Sequence, residues 1–332
     1  GMSYNSYVIL DEKIAVMDSV DARAADEWLA KLAHELDGRS PDYLVISHME
    51  PDHSGSILRL AEKYQEMKLV GNTKTFTMLR QFFGAKAPTD DRLLEVGEGE
   101  TLPLGAHTLH FMLAPMVHWP EVMVAYDETE KILFSADAFG RFGSLGRTAN
   151  APWAPQARRY YYNIVGKYGA QVQALLKKAA ALEIETVCPL HGPVLTGEAL
   201  GEALRLYDLW SRWQSEAPEE ILLAHASIHG NTARAAELLK QKLEAKGARV
   251  TLCDLTTTEV SYAVANAFYC GKLVLACSTY DGGLFPPMEE FLSHLQAKGF
   301  RSRTVGLIEN GSWAPAAARL MRAKLEEMKD LR

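Results

Sequence analysis

From residue 221 onward, short apolar runs alternate regularly with longer amphipathic segments. The apolar runs span residues 221–226, 249–254, 272–277 and 304–308, and a helical pattern follows each of them. Runs of this length, each followed by a helix, are typical of parallel strands that helices cover on both faces. We therefore expect a doubly wound α/β domain, with its functional loops at the carboxyl ends of the strands.

The residues before this region mix strand-like runs, helices and polar loops. Further strands are expected at residues 43–47, 108–114, 131–136 and 185–188. The polar, proline-containing stretch SEAPEE at residues 215–220 interrupts the pattern and is the best domain boundary. We predict two domains, residues 1–215 and residues 219–332.

Composition and charge exclude several classes of function. The 332 residues are 48% hydrophobic and 23% charged with a net charge of −7, which is typical of a soluble globular protein without a basic nucleic-acid-binding surface. No apolar run approaches the roughly 18 residues of a membrane span, and no signal-peptide pattern is present. The four cysteines form no C-x-x-C pair, so we expect reduced, buried thiols and a cytoplasmic location.

The loop SHMEPDHSGS places four potential metal ligands within six positions after an apolar run that ends at Ile46. They are His48, Glu50, Asp52 and His53. Three more candidates also follow predicted strands: His118, Asp137 and His191. Each residue alone has a plainer interpretation, as a loop or core histidine, a turn or cap aspartate, or a surface acid. Because strand ends on one edge of a sheet converge, the shared position favours a metal site.

Glu50 decides which metal is expected. A carboxylate is a harder, anionic ligand than an imidazole, which favours iron or manganese over zinc. The pattern H-x-E-x-D-H followed by His, Asp and His resembles the metallo-β-lactamase superfamily, whose zinc hydrolases usually carry histidine at the position of Glu50. With glutamate there, the chain resembles the flavodiiron proteins of that superfamily over essentially its whole length.

The resemblance implies a fold and a ligand set. The fold would be a metallo-β-lactamase-like αββα sandwich followed by a flavodoxin-like parallel sheet that lacks its fifth strand. His48, Glu50 and His118 would hold one iron of a non-haem diiron centre. Asp52, His53 and His191 would hold the other, with Asp137 bridging the two.

A second motif, AHASIHGNTARAAE, follows the first strand of the later domain and opens a helix. Backbone N–H groups at a helix N-terminus favour a bound phosphate. The form S-x-x-G-N-T is similar to the phosphate loop of flavodoxins, which bind FMN. The residues of this predicted loop are Ser227, His229, Gly230, Asn231 and Thr232.

Two further loops, CSTYDGGLFPPM and IENGSWAP, follow the third and fourth strands of this domain. In flavodoxin-like domains such loops flank the flavin ring at the strand ends. The alternative is that YDGG is only a turn and Trp313 only a core aromatic. The predicted FMN contacts here are Ser278, Thr279, Tyr280, Asp281, Gly282, Gly283, Asn310, Gly311, Ser312 and Trp313.

The resemblance further implies a flavodiiron oxidoreductase that reduces O2 to water, NO to N2O, or both, with electrons delivered through FMN. No rubredoxin-like cysteine cluster is present, so the donor would be a separate protein of the rubredoxin or flavin reductase type. A head-to-tail homodimer or a dimer of dimers is expected, with no nucleic-acid or membrane partner. Two alternatives remain open: a binuclear zinc hydrolase, and a flavodoxin-like electron carrier with a vestigial metal domain.

Three smaller expectations concern the length of the chain and two aromatic residues. Flavodiiron proteins usually begin earlier and continue beyond the fourth flavodoxin-like helix, so this sequence is expected to be a fragment of a longer chain. Trp119 and Tyr162 are candidates to line the substrate cavity, and the alternative for both is packing.

Overall fold

A computed structural model describes residues 1–148 and 151–332. These residues form two compact units. The first unit comprises Gly1–Ala157 with Ala170–Asp208, and the second comprises Arg158–Gly169 with Leu209–Arg332. The compact units divide the chain after Asp208 and group residues 158–169 with the second unit. The predicted domains, residues 1–215 and residues 219–332, stay a prediction.

The strands, in chain order, are β1 (Tyr7–Ile9), β2 (Ala15–Met17), β3 (Tyr43–Val45), β4 (Lys68–Gly71), β5 (Leu93–Glu95), β6 (Thr101–Pro103), β7 (Thr108–Leu113), β8 (Met123–Asp127), β9 (Ile132–Phe134), β10 (Thr186–Cys188), β11 (Leu195–Thr196), β12 (Ala217–Ala226), β13 (Val250–Asp254), β14 (Cys270–Tyr280), β15 (Gly283–Leu284) and β16 (Thr304–Asn310).

The α-helices are α1 (Ala25–Leu36), α2 (Pro51–Ser54), α3 (Ile57–Lys63), α4 (Thr73–Phe83), α5 (Leu145–Thr148), α6 (Trp153–Tyr160), α7 (Gly169–Ala179), α8 (Gly197–Ser211), α9 (Asn231–Glu244), α10 (Val260–Tyr269), α11 (Pro286–Ala297) and α12 (Ala317–Glu326).

The first unit contains two sheets. One has the strand order β1-β2-β3-β4-β5, and the other has the order β11-β10-β9-β8-β7-β6. Because side chains alternate across a strand, Leu44 of β3 lies in one core cluster while Tyr43 and Val45 lie in another. The Leu44 cluster is shared with α1, α3 and α4, and the Val45 cluster joins the two sheets to each other. This layered packing is the β-lactamase-like sandwich that the sequence predicted.

The second unit is built on a parallel sheet with the order β13-β12-β14-β16. The short β15 pairs with the end of β14 in the antiparallel direction. Among the described residues no fifth parallel strand follows β16. In such a sheet the carboxyl ends of β12 and β14 mark the point where strand order reverses, which is where ligands bind.

Two further features concern the expectations from sequence. No helix in the described parts of the chain has the length and apolar character needed to cross a membrane. Tyr162 belongs to the second unit, where it is fully buried and its ring stacks on Phe268 at 4.0 Å between centroids. Tyr162 therefore has the packing role that was the alternative for it.

Candidate metal centre and flavin site

All seven predicted ligand residues lie in the connections between strands at one end of the two-sheet sandwich, and two of them, Asp52 and His53, belong to the short helix α2. His48 to His53 follow β3 of the first sheet, whereas Asp137 and His191 follow β9 and β10 of the second sheet. His118 lies in the connection between β7 and β8, and its peptide bond to Val117 is cis. The backbone N–H of Met123 donates to the carbonyl of Ser47 at 3.1 Å, which joins the two sheets at this end.

One group of ligand atoms consists of His48, Glu50, His118 and Asp137, all within 4.8 Å of one another. The Glu50 Oε2 atom lies 3.3 Å from Nε2 of His48 and 3.1 Å from Nε2 of His118. The Asp137 Oδ2 atom lies 3.0 Å from Nε2 of His118. Two ligands that each lie about 2.1 Å from a shared ion are separated by about 3.0–3.4 Å, so these spacings suit a cation.

The second group consists of Asp52, His53 and His191. The Asp52 Oδ2 atom lies 3.5 Å from Nε2 of His53 and 3.4 Å from Nε2 of His191. The other oxygen of Asp137, Oδ1, lies 3.2 Å from Nε2 of His53, so the two oxygens of Asp137 face different groups. This is the arrangement that a bridging carboxylate requires.

Burial and charge at the centre also suit a cation. Asp137 is fully buried, which alone would raise its pKa, yet the imidazoles of His191, His53 and His118 hold the pKa well below its ordinary value. Burial would lower the pKa of His48, but the carboxylates of Glu121 and Glu50 raise it to about 10. The carboxylates at the centre are therefore ionised, and their negative charge favours the binding of metal ions.

The His48 loop is held from behind by two buried acids. Nδ1 of His48 donates to Oε1 of Glu121 at 2.7 Å, and the same oxygen accepts the N–H of Met49 at 2.8 Å. Asp18, at the end of β2, accepts the N–H of Ser47 at 2.7 Å. A carboxylate behind a ligating histidine fixes both its tautomer and its orientation.

The His191 loop is held by the N-terminal segment. Nδ1 of His191 donates to the carbonyl of Ser3 at 2.8 Å. The side-chain amide of Asn5 donates to the carbonyls of Pro189 and Gly192, each at 2.8 Å. Gly192 has a φ of +89°, and a Cβ atom there would lie 2.8 Å from Cγ of Arg141. This position therefore requires glycine.

The phosphate-type loop of the second unit lies between β12 and α9. Gly230 has a φ of +83°, and no side chain of the described residues caps the first turn of α9. The hydroxyl of Thr232 lies 2.8 Å from the hydroxyl of Ser278, and the amide of Asn310 donates to Thr232 at 3.3 Å. One residue from each of the three predicted loops thus meets at the carboxyl edge of the sheet.

A cavity of about 460 Å³ opens between the loops that follow β14 and β16. Trp313 beside it is 80% exposed and Tyr280 is 49% exposed, so both rings are free to contact a flat ligand. Arg319 of α12 also lines the cavity and was not predicted. The predicted contacts that line it are Thr279, Asp281, Gly282, Gly311, Ser312 and Trp313.

The family model described as "ODP family beta lactamase" matches residues 2–192, which is more than half of the chain. The chain belongs to this ODP beta-lactamase family.

Relatives of this family member carry names that agree with the resemblance noted above. The rubredoxin-oxygen oxidoreductase of Megalodesulfovibrio gigas is 26% identical over 97% of this chain and 81% of its own length. The anaerobic nitric oxide reductase flavorubredoxin of Vibrio vulnificus is 26% identical over 98% of this chain and 67% of its own length. The chain spans from 45% to 84% of the length of the curated relatives compared.

A solved structure gives the same result for the fold. The flavodiiron protein from Giardia intestinalis matches 100% of this chain and 84% of its own chain, with a TM-score of 0.91 and 26% identity. The resemblance to flavodiiron proteins and the two-part α/β fold are therefore confirmed. The assignment of particular residues to the metal ions and to the flavin stays a prediction, which the geometry of the two sites supports.

Two residues that hold the His48 loop of the metal centre, Glu121 and Asp18, were not predicted from the sequence. Both leave a signal in the sequence: Glu121 lies three residues after His118 and two residues before the start of β8, and Asp18 directly follows the apolar β2. An acid directly beside a buried strand is expensive to bury unless a partner satisfies it. Trp119 lies beside the centre, with its ring 5.2 Å from that of His48.

Proposed function

We propose that this chain is a flavodiiron oxidoreductase that reduces O2 to water, NO to N2O, or both. The observation that carries the proposal is the pairing of two ligand groups around Asp137, with the carboxylate of Glu50 in the first group. Zinc hydrolases of the superfamily usually have an imidazole at that position, and hydrolysis has no need of a flavin domain. Clustering of all seven predicted ligands also argues against a vestigial metal domain.

When bound, two irons and FMN would supply the redox chemistry, which belongs to the cofactors. The chain contributes position and charge. His48, Glu50 and His118 would hold one iron, Asp52, His53 and His191 the other, and Asp137 would keep the two close enough to act on one small substrate. The loops after β12, β14 and β16 would hold the FMN phosphate and ring.

The names of the relatives support a rubredoxin-type protein as electron donor. A flavin reductase type of donor, the head-to-tail homodimer or dimer of dimers, and a cytoplasmic location stay predictions.

Turnover with a defined donor tests the proposal. The chain is loaded with Fe(II) and FMN under anaerobic conditions and supplied with NADH, a rubredoxin reductase and rubredoxin. We expect NADH oxidation that depends on added O2 or NO and on both cofactors. Hydrolysis of a thioester or phosphoester by the zinc-loaded chain, with no consumption of O2 or NO by the iron-loaded chain, would favour the hydrolase instead.

A further inference from the structure

The two halves of the metal centre differ in what lies behind their histidines. His48 is backed by an anionic carboxylate, that of Glu121, at 2.7 Å. His191 is backed by a neutral carbonyl, that of Ser3, at 2.8 Å. The Nδ1 atom of His53 is buried and has no hydrogen-bond partner among the described residues.

This difference has a direct consequence for metal affinity. A carboxylate that accepts the Nδ1 proton makes the opposite nitrogen, Nε2, a stronger donor to a cation, whereas a neutral carbonyl does so less. Losing such an outer partner typically lowers metal affinity about 10–100-fold. With Asp137 shared, each half has three ligand residues of its own, so the number of ligands does not distinguish the halves and the difference lies behind the histidines.

Glu121 is well placed to act in this way. Its side chain is fully buried, and its Oε1 atom accepts from both Nδ1 of His48 and the N–H of Met49. The backbone carbonyl of Glu121 accepts from the side-chain amide of Asn72 at 2.6 Å, and Asn72 caps α4. The carboxylate is therefore fixed relative to β3, α4 and the start of β8.

We propose that Glu121 is a positioning residue that makes the His48–Glu50–His118 half of the centre the tighter metal position, so that the two halves fill in order. The inference rests on the metal centre of the proposed function and adds an order of filling and the residue that sets it. Glu121 contacts no substrate and acts only through His48.

Metal titration tests the order directly. The metal-free chain is titrated with Co²⁺ under anaerobic conditions and followed by calorimetry and by the visible absorption of bound Co²⁺. We expect two binding steps whose affinities differ by about tenfold or more. His118→Ala should remove the tighter step, and His191→Ala should remove the weaker step.

Glu121→Gln tests the residue. Glutamine keeps an oxygen that accepts from His48 and Met49 but removes the negative charge. We expect the tighter step to weaken about 10–100-fold while the weaker step stays within about threefold, and the Co²⁺ absorption of the first step to shift. The matched control is Asp127→Asn, which neutralises another buried acid of the same unit and should leave both steps unchanged.

A second variant keeps the test decisive if Glu121→Gln folds poorly. Asn5→Ala removes two of the hydrogen bonds that hold the His191 loop, those to Pro189 and Gly192, so it should weaken the second step and spare the first. Two steps of equal affinity in the wild type, or an equal loss of both steps in Glu121→Gln, would overturn the inference and leave the metal centre standing. An absence of Co²⁺ binding to the wild type would overturn both.

Discussion

The Nε2 atoms of His53 and His191 lie 3.1 Å apart in the interior of the first unit. Two neutral imidazoles can approach in this way only if one N–H donates a hydrogen bond to the other nitrogen or if both nitrogens face a shared cation. The Asp137 Oδ1 atom lies 3.2 Å from one of these nitrogens and 3.5 Å from the other. The three atoms thus surround a position suited to a metal ion.

Asp137→Ala should deplete both metal positions, because the two oxygens of Asp137 face different ligand groups. We expect the purified chain to hold less than roughly half of the wild-type metal content, measured by elemental analysis. Asp127→Ala, a buried acid outside both ligand groups, serves as the control and should keep the metal. Wild-type metal content in Asp137→Ala would contradict the bridging role.

Glu50→His should shift metal preference toward zinc, because it replaces a hard carboxylate oxygen with a softer imidazole nitrogen. In competition between Fe(II) and Zn²⁺ we expect the bound zinc-to-iron ratio to rise on the order of tenfold, the usual effect of altering one interaction at a metal site. Glu62→His, on the exposed face of α3, controls for an added histidine. An unchanged ratio would mean that Glu50 does not set the metal.

Thr232→Val should weaken FMN binding, because the Thr232 hydroxyl joins the first predicted flavin loop to Ser278 of the second. The loss of a hydrogen bond of this kind corresponds to roughly tenfold in affinity. Titration that follows the quenching of FMN fluorescence measures it. Thr251→Val, an exposed position on β13, should bind FMN as the wild type does; equal affinities for the two variants would contradict the assignment.

Trp313→Ala should separate binding from stability. Since Trp313 is 80% exposed, its removal should change the free energy of unfolding of the FMN-free chain by no more than about 0.5 kcal/mol. Loss of ring stacking should nevertheless weaken FMN binding roughly tenfold. Phe82→Ala changes an exposed aromatic residue of the first unit. It should leave FMN binding unchanged and change the free energy of unfolding by no more than about 0.5 kcal/mol. A large loss of stability in Trp313→Ala would indicate a packing role.

Arg303→Met should destabilise the second unit. The buried guanidinium of Arg303 donates to the carbonyls of Phe268, Cys270 and Trp213 at 2.8–2.9 Å, and methionine would leave these acceptors unpaired. At about 1 kcal/mol for each lost bond, we expect a decrease of about 3 kcal/mol in the free energy of unfolding by urea. Arg322→Met, an exposed position on α12, should change it by less than about 0.5 kcal/mol.

The features that the sequence predicted well are local. Apolar runs and helix periodicity located β12, β13, β14 and β16, because parallel strands are buried on both faces and need no distant partner to be recognised. The seven candidate ligands could be grouped because each follows a strand end, a position that a sequence pattern displays directly. The expectation of iron rests on Glu50, and this assignment stays a prediction.

The features that it missed depend on distant contacts. Glu121 meets His48 across 73 positions of sequence, and Asn5 meets Pro189 across 184. No local pattern marks such pairs, because their partners are set by how the two sheets pack. The stretch of residues 158–169 groups with the second unit for a similar reason: Arg158 pairs with Glu216, and Tyr162 stacks on Phe268.

Metal and flavin analysis of the anaerobically purified chain tests the central claim most directly. Elemental analysis and an absorption spectrum of one sample give both quantities. The account predicts about two irons and about one FMN per chain, held by the two ligand groups and the three flavin loops. About two zinc ions with no flavin absorption would contradict it and would make the chain a hydrolase of the same fold.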